Sequence, residues 1–535
     1  MPLTDEEKLL KKKRLISMNT YGAGDMLGGG IVQLTTLYYL PFLLLVVGMR
    51  PVLAGIVIAI GRIWDGITDP VMGVIVDRTR TRFGSCRPYF LIAAIPILLG
   101  NILLWSAWGI QGEYAQFAYF IFAYMFYSTA LTIGLVPYES LLPKMVDGYK
   151  ERLKYTQLRP IYATIFATAA TYLYELIVAA TQDNPLSPAF QGKFTLLGVI
   201  LGVMFALPLI ITFFGTRENP LPPLVKTEKK PVLQTLKSVF GEYKEVLSSK
   251  TYKKYFALVL LGIFVQSCAM STMALLVYVL YGNIANFIVG FTLIFAVVNL
   301  KGAFEIAFIA PNMVLMYKTS KHTPYFLDLP FIIISSIMMI FITPQTNVWV
   351  FITAMCFLGI GISCIRPVPL SLLPDLTDIY EAMYGRRAEG INAGLNTLGR
   401  KVVEGLTIAL LGFIFGLFGL NAQDLTFFNP ESVSSGALTA LKIVYGVLPI
   451  IACSFMLFLT CVYRLDGKRH NMVKALIKEK RENGFAVVTD EQKTELEKLT
   501  GKRFTDLWIS KTEQKSLETD RTSTEDIENG CFEKT

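Results

Sequence analysis

Apolar residues along this chain run in stretches of about 20, the length that crosses a bilayer as a helix, with short polar turns between them. Twelve such stretches stand out, at 19–48, 51–76, 88–110, 114–143, 157–181, 192–215, 254–282, 285–316, 325–343, 347–374, 388–420 and 436–464. They predict an all-α membrane protein with twelve transmembrane helices. One polar segment, 216–253, interrupts the series and contains the Pro-rich text NPLPPLVKTEKKP. It leaves six spans on each side. The expected domains are an N-terminus (1–18), a six-helix bundle (19–215), a linker (216–253), a second six-helix bundle (254–464) and a tail (465–535). In the tail, VTDEQKTELEKLTGKRFTDLW is expected to form one or two short amphipathic helices, and the whole is expected to behave as a solvated appendage.

The basic residues fix an expected orientation. Arg78, Arg80, Arg82, Arg87, Lys144, Lys150, Arg152 and Lys154 fall in alternate connectors, while the opposite face holds little beyond Arg50 and Lys193. Positive connectors stay in the cytoplasm, so both termini are expected there, and EEKLLKKKR reads as a cytoplasmic lead rather than a cleavable signal. Composition agrees: 53% of residues are hydrophobic and 17% charged, against roughly 25% charged in an average soluble protein. The net charge of +9 therefore does not point to nucleic acid. Seven cysteines show no metal-ligand spacing and are expected to be reduced, packed thiols. His322 and His470 lie in connectors, away from any proton path through the membrane. No nucleotide-binding GxxxxGK[ST], zinc-binding H-E-x-x-H or nucleophile elbow is present, so neither ATP-driven transport nor an enzyme is expected.

The densest chemistry lies in GRIWDGITDPVMG, residues 61–73. Arg62, Asp65 and Asp69 recur at i, i+3 and i+7 and share one helix face. A charge at the bilayer centre costs about 2.5–3.5 kcal/mol on insertion scales, so these groups must face a wet cavity or one another. Two carboxylates one turn apart suit a hard monovalent cation, and Thr68 is placed to add a hydroxyl. Two readings stand: a site for sodium or for a shared proton, or an Arg62–Asp65/Asp69 ion pair that fixes packing.

Three motifs occurring in order resemble the glycoside–pentoside–hexuronide:cation symporter family of the major facilitator superfamily. They are RIWDGITDPVMG with the following DRTRTRFGSCRPY, then VPYESLLPKM, then DLTDIYEAMYGRRAEGI. The resemblance covers roughly 17–470 and implies two pseudo-symmetric six-helix bundles working by alternating access. It implies that Asp65 and Asp69, with Thr132, bind the coupling cation (H+ or Na+). It also implies that Arg159 contacts sugar and that Lys401 is the intramembrane lysine of the family. The acidic positions that grip sugar hydroxyls in the family match Gly29 and Leu135 here, so those carboxylates are expected to be absent.

Arg366, by contrast, adds a planar fork suited to a carboxylate, unless it pairs with Glu139 or Glu404. Arg62, Arg159, Arg366 and Lys401, with Trp64 as a stacking ring, are the expected substrate contacts. The expected cargo is an acidic sugar such as a uronide. Alternatives are a neutral glycoside, a lipid or other anionic solute, or a non-transporting sugar sensor. Lys301 and Glu305 are expected to neutralise each other. Asp77, Arg78, Arg82, Asp375, Asp378, Arg387 and Glu389 are expected to form a breakable cytoplasmic gate. A monomer in a plasma membrane, in the setting of a bacterial inner membrane, with no cofactor beyond the coupling ion, completes the expectation.

Overall fold

A computed structural model describes residues 5–146, 149–179, 188–219, 241–281, 292–387, 389–419, 435–463 and 465–511. Helix dominates it. The first six long helices are α1 (Lys11–Val46, with its first turns beginning at Asp5), α2 (Pro51–Arg78), α3 (Pro88–Trp105), α4 (Glu113–Met145), α5 (Tyr149–Ala179) and α6 (Pro188–Gly215). The second six are α7 (Lys250–Tyr281), α8 (Leu293–Lys318), α9 (Pro324–Phe341), α10 (Val348–Tyr384), α11 (Glu389–Leu417) and α12 (Ser435–Val462).

Several helices start at a proline whose missing N–H is not needed in the first turn: Pro51, Pro88 and Pro324. Large apolar side chains such as Ile95, Phe214 and Phe341 point outward, as a lipid-facing surface requires. Eleven of the twelve are apolar enough to be recognised by composition. The exception is α11, because Arg400, Lys401 and Glu404 fall inside any window long enough to span. Helix α10 runs ten residues beyond its expected end and breaks at 363–366. The expected start of α8 at 285 lies outside the described residues, and the helix is seen from Leu293.

A short repeat supports the two-bundle reading. Helices α4 and α10, the fourth of each half, both carry SLLP, at 140–143 and 371–374. On that register Lys144 matches Asp375, and each ties its own half together at the same end. Lys144 Nζ lies 3.8 Å from Asp77 at the end of α2, and Lys321 Nζ lies 2.6 Å from Asp375 beyond the end of α8. The two pairs have opposite polarity.

The halves meet most closely where α2 packs along α11. A Cβ added at Gly412 would stand 2.3 Å from the Pro51 carbonyl oxygen. Here the lack of a side chain lets two backbones touch, as small residues do between membrane helices. Gly412→Leu should force the two apart at the end remote from the tail. Overpacking costs about 1–3 kcal/mol, enough to shift a two-state balance by roughly 5- to 150-fold. Spin-label distances across that end will show a larger open population.

The tail is not a loose appendage. It forms α13 (Gly467–Asn483) and α14 (Asp490–Thr500), and α13 was not foreseen. Asp466 caps α13, and Thr489 with Gln492 makes a capping box on α14. Leu496, Leu499, Leu507 and Ile509 are buried, which holds the segment against α7 and α10. Thr251 donates to the Leu499 carbonyl at 2.7 Å, Arg481 pairs with Glu381, and His470 Nε2 lies 2.9 Å from Asp378. Trp508 occupies the space left by Gly385, which caps α10 at φ +73°. Before α7, Glu245 is bound by Tyr380 and Arg386. Burial opposes its charge, but those two hydrogen bonds outweigh it and hold its carboxyl below the usual range.

Trp508→Ala should loosen the segment by about 1–3 kcal/mol. Tryptic cleavage at Lys502–Arg503 will then run roughly 5- to 150-fold faster while opening remains rapid.

Candidate functional site

Helix α2 presents Arg62, Asp65 and Asp69 toward α4 and α11, as their spacing predicts. The carboxylates do not pair with Arg62. Lys401 reaches in from α11, in the other half, and places its ammonium 2.6 Å from Asp65 Oδ2 and in contact with Asp69. Thr132 on α4 supplies a hydroxyl 3.1 Å from Asp65 Oδ1 and 2.9 Å from Asp69 Oδ1. Thr68 lies 3.2 Å from Thr132 Oγ1. Two carboxylates thus hold one ammonium through their Oδ2 atoms, with the Thr132 hydroxyl on their Oδ1 atoms and Thr68 behind it. Lys401 stands at this cluster rather than at a substrate contact, which corrects its expected role. Sequence spacing within α2 gave no hint of it, because the partner lies 332 positions away.

The packing alternative, an Arg62–Asp65/Asp69 pair, is also corrected. Arg62 donates to Thr36 Oγ1 at 3.0 Å and lies 3.6 Å from Glu404 on α11. Trp64 is another correction. It follows the helix away from Asp65's face, and its Nε1 donates to Thr129 at 2.9 Å instead of facing the cavity.

Beside the cluster a cavity of about 470 Å3 lies between the halves, within the usual range of about 300–1,000 Å3 for small-molecule sites. Helices α1, α2, α4 and α5 line one side, and α7, α8, α10 and α11 the other. Five basic and four acidic side chains face it. Most pair: Arg159 with Asp25 at 2.9 Å, Lys301 with Glu305 at 2.8 Å, and Glu404 with Arg400 at 3.3 Å as well as with Arg62. The Lys301–Glu305 expectation therefore matches the geometry. Arg366, at the break in α10, donates to Gln266 Oε1 at 3.4 Å and makes no ion pair with Glu139 or Glu404. Glu139 also lines the cavity with no ion pair among the described residues.

The matched positions Gly29 and Leu135 carry no carboxylate, but acids line the cavity one turn away: Asp25 before Gly29 and Glu139 after Leu135. Asp25 stands directly before the π-helical segment Met26–Gly30, whose wider turn shifts the register of the residues beyond it. The acid in YGAGDMLGGG was the available signal.

The residues expected to form a gate sit at the end of the bundle that bears the tail, and their ion pairs among the described residues stay within one half. Asp77 pairs with Lys144, Arg82 stacks over Phe83 at 4.6 Å, and Asp375 pairs with Lys321 and lies 3.6 Å from His470. Asp378 lies 3.5 Å from Arg387, which also pairs with Glu389 at 2.9 Å. Arg78 is engaged as well. Among the described residues, the ion pairs that join the halves are those of Arg62 and Lys401. One feature of the adjoining loop was missed. Glu218, at the start of the linker, accepts backbone N–H groups of Ser85, Cys86 and Arg87 at 2.8, 2.8 and 2.9 Å and caps α3. Burial pushes the Cys86 thiol up, as a packed cysteine requires.

The profile of the family described as MFS/sugar transport protein matches residues 20–467. Among curated relatives, the glucuronide carrier protein homolog of Escherichia coli (strain K12) is 24% identical over 88% of this chain and 97% of its own length. The sodium-dependent lysophosphatidylcholine symporter 1-A of Danio rerio is 23% identical over 80% of this chain and 81% of its own. Among solved structures, a bacterial homologue of the human lysosomal transporter Spinster, in an inward-facing and unoccupied conformation, superposes with a TM-score of 0.57. It is 12% identical and covers 85% of this chain and 97% of that one.

Proposed function

The chain belongs to the MFS/sugar transport protein family, and on that premise we propose that Lys401 and the coupling cation exchange places at Asp65 and Asp69. The protein is a multi-pass sugar–cation symporter, not an enzyme. The observation that carries the exchange is the position of the Lys401 ammonium, held by carboxylates of the opposite half. With that ammonium in place, α2 and α11 are tied together. A cation entering between the two carboxylates takes over the charge balance and frees Lys401, so the halves can move past one another. Sugar bound in the cavity and the cation then favour the same form, and each raises the other's affinity equally.

The donor set of two carboxylates and two hydroxyls suits sodium, and the sodium-dependent relative supports it. A proton on one carboxylate would release Lys401 by the same logic. The basic connectors support a cytoplasmic tail end, within a plasma membrane. On that placement, the closed end faces outward and the cavity faces inward.

For the cargo, Arg366 supplies the fork for a carboxylate, while Asp25 and Glu139 accept sugar hydroxyls. The favoured cargo is a uronide, a reading supported by the glucuronide-carrier relative. The acids Asp25 and Glu139 favour a second reading, a neutral glycoside. Proteoliposomes loaded with labelled glucuronide or neutral glycoside, under sodium and proton gradients imposed separately, test both points. Glucuronide counterflow and accumulation under one gradient support the reading. Transport of neutral glycosides alone would replace the acidic cargo, and accumulation with neither gradient would remove the symport.

A further inference from the structure

At the sealed end of the bundle, remote from both the cavity and the cation cluster, lies a carboxyl group that the transport cycle does not use. Glu175 on α5 is 1% exposed. Its Oε1 accepts from Tyr278 on α7 at 3.2 Å, so the hydrogen bond crosses from one half to the other. Its Oε2 finds no hydrogen bond among the described residues, and neither does the Tyr38 hydroxyl of α1, although the two groups are close enough to influence each other. The groups facing Glu175 are Tyr38, Tyr174, Tyr278 and the Thr292 hydroxyl of α8. None is a cation. The undescribed neighbouring segments 180–187 and 282–291 contain no lysine or arginine either.

A buried carboxylate with no cation is costly; a buried carboxylic acid is not. A proton on Oε2 would also turn that oxygen into a donor, able to meet the Tyr38 hydroxyl oxygen. Resting on the alternating-access reading, we propose that Glu175 is a proton-binding latch: this end closes with Glu175 protonated and opens as the proton leaves to water.

The balance is simple. Closing takes one proton from the solution on that side onto Oε2, with the hydrogen bond to Tyr278 formed. Opening returns the proton and exposes the carboxylate to solvent. The two halves otherwise seal here by apolar contacts such as Tyr172 against Phe295, with ring centroids 5.8 Å apart. Those contacts do not sense pH. The sealed end would therefore respond to external pH through Glu175, separately from Asp65 and Asp69.

Spin labels at Gln111→Cys and Gln345→Cys, both exposed in loops at this end, report the opening by pulsed EPR in nanodiscs. The background replaces Cys356, Cys461 and Cys531 with alanine. One linked proton changes the open-to-closed ratio up to about tenfold per pH unit, so the open fraction should rise with pH. In E175Q the pH response should vanish, with the end remaining closed. In Y278F, which keeps the carboxyl, the response should persist with the balance shifted toward open. D65N with D69N should leave the response in place.

An undiminished pH response in E175Q overturns the latch while leaving alternating access intact. A single distance under all conditions, with and without sugar and across pH, overturns both.

Discussion

Replacing both Asp65 and Asp69 with asparagine will abolish uptake against a gradient. With a neutral glycoside as cargo, one cotransported cation at a membrane potential of about 100 mV supplies about 2.3 kcal/mol, which supports roughly 50-fold accumulation. With a uronide the step moves no net charge, and accumulation follows the cation's concentration gradient, about tenfold for a tenfold gradient. The double variant should fall to equal concentrations inside and out, because its amides hold no charge for a cation to balance and leave Lys401 without its partners. Downhill exchange of labelled sugar should survive at a reduced rate, since the cavity side chains are untouched. Thermal unfolding of the purified variant separates loss of coupling from loss of fold. Leaving a buried charge without any partner costs about 3–5 kcal/mol, so the double variant, which strands Lys401, should be less stable than wild type. D65N and D69N each keep one carboxylate on the ammonium and should lose much less. Accumulation ratios in proteoliposomes with imposed gradients are the measurement.

The second large effect is expected at Arg366. Its guanidinium faces the cavity from the break in α10, with Gln266 at 3.4 Å and no carboxylate among the described residues pairing with it. A charged hydrogen bond is worth about 1.5–3 kcal/mol. Arg366→Ala should therefore raise the half-saturating glucuronide concentration roughly 10- to 150-fold and leave a neutral glycoside nearly unchanged. Arg366→Lys should recover part of the loss, because a point charge lacks the two-pronged geometry. Equal weakening of both sugars would assign Arg366 to holding the shape of α10 rather than to reading the cargo.

How much of this was legible in the sequence depends on distance along the chain. The bundle was readable because each span is a local run of apolar residues. Even α11 is legible as such a run, although Arg400, Lys401 and Glu404 lie mid-helix. The Asp65/Asp69 pair was readable because i, i+4 neighbours always share a helix face. The group that completes the pair was not: Lys401 comes from the other half, and no local spacing announces a contact between helices. The same reason hides Glu218, which caps α3 from the linker, and Glu175, whose partner is 103 positions away. Asp25 was hidden differently, by the π-helical turn just after it. Trp64, expected as a ring for the sugar to stack on, adjoins Asp65 in sequence, yet adjacent helical residues diverge by about 100°, and its indole meets Thr129. The tail was underestimated because its buried face is short. Val473, Leu476 and Ile477 of α13, Leu496 and Leu499 of α14, Leu507, Ile509 and a tryptophan set against a glycine hold it down, and a mean hydropathy over that stretch does not register them.

The account turns on Lys401 and the transported cation competing for the same two carboxylates. Sodium affinity measured by isothermal titration calorimetry on wild type and on Lys401→Gln is the most direct test, repeated across pH so that a proton competitor is also seen. With the internal ammonium gone, the carboxylates should bind sodium or a proton more tightly, while coupled uptake is lost. Cation affinity that is unchanged or weaker in Lys401→Gln would contradict the exchange and make Lys401 a partner of the cation rather than its rival.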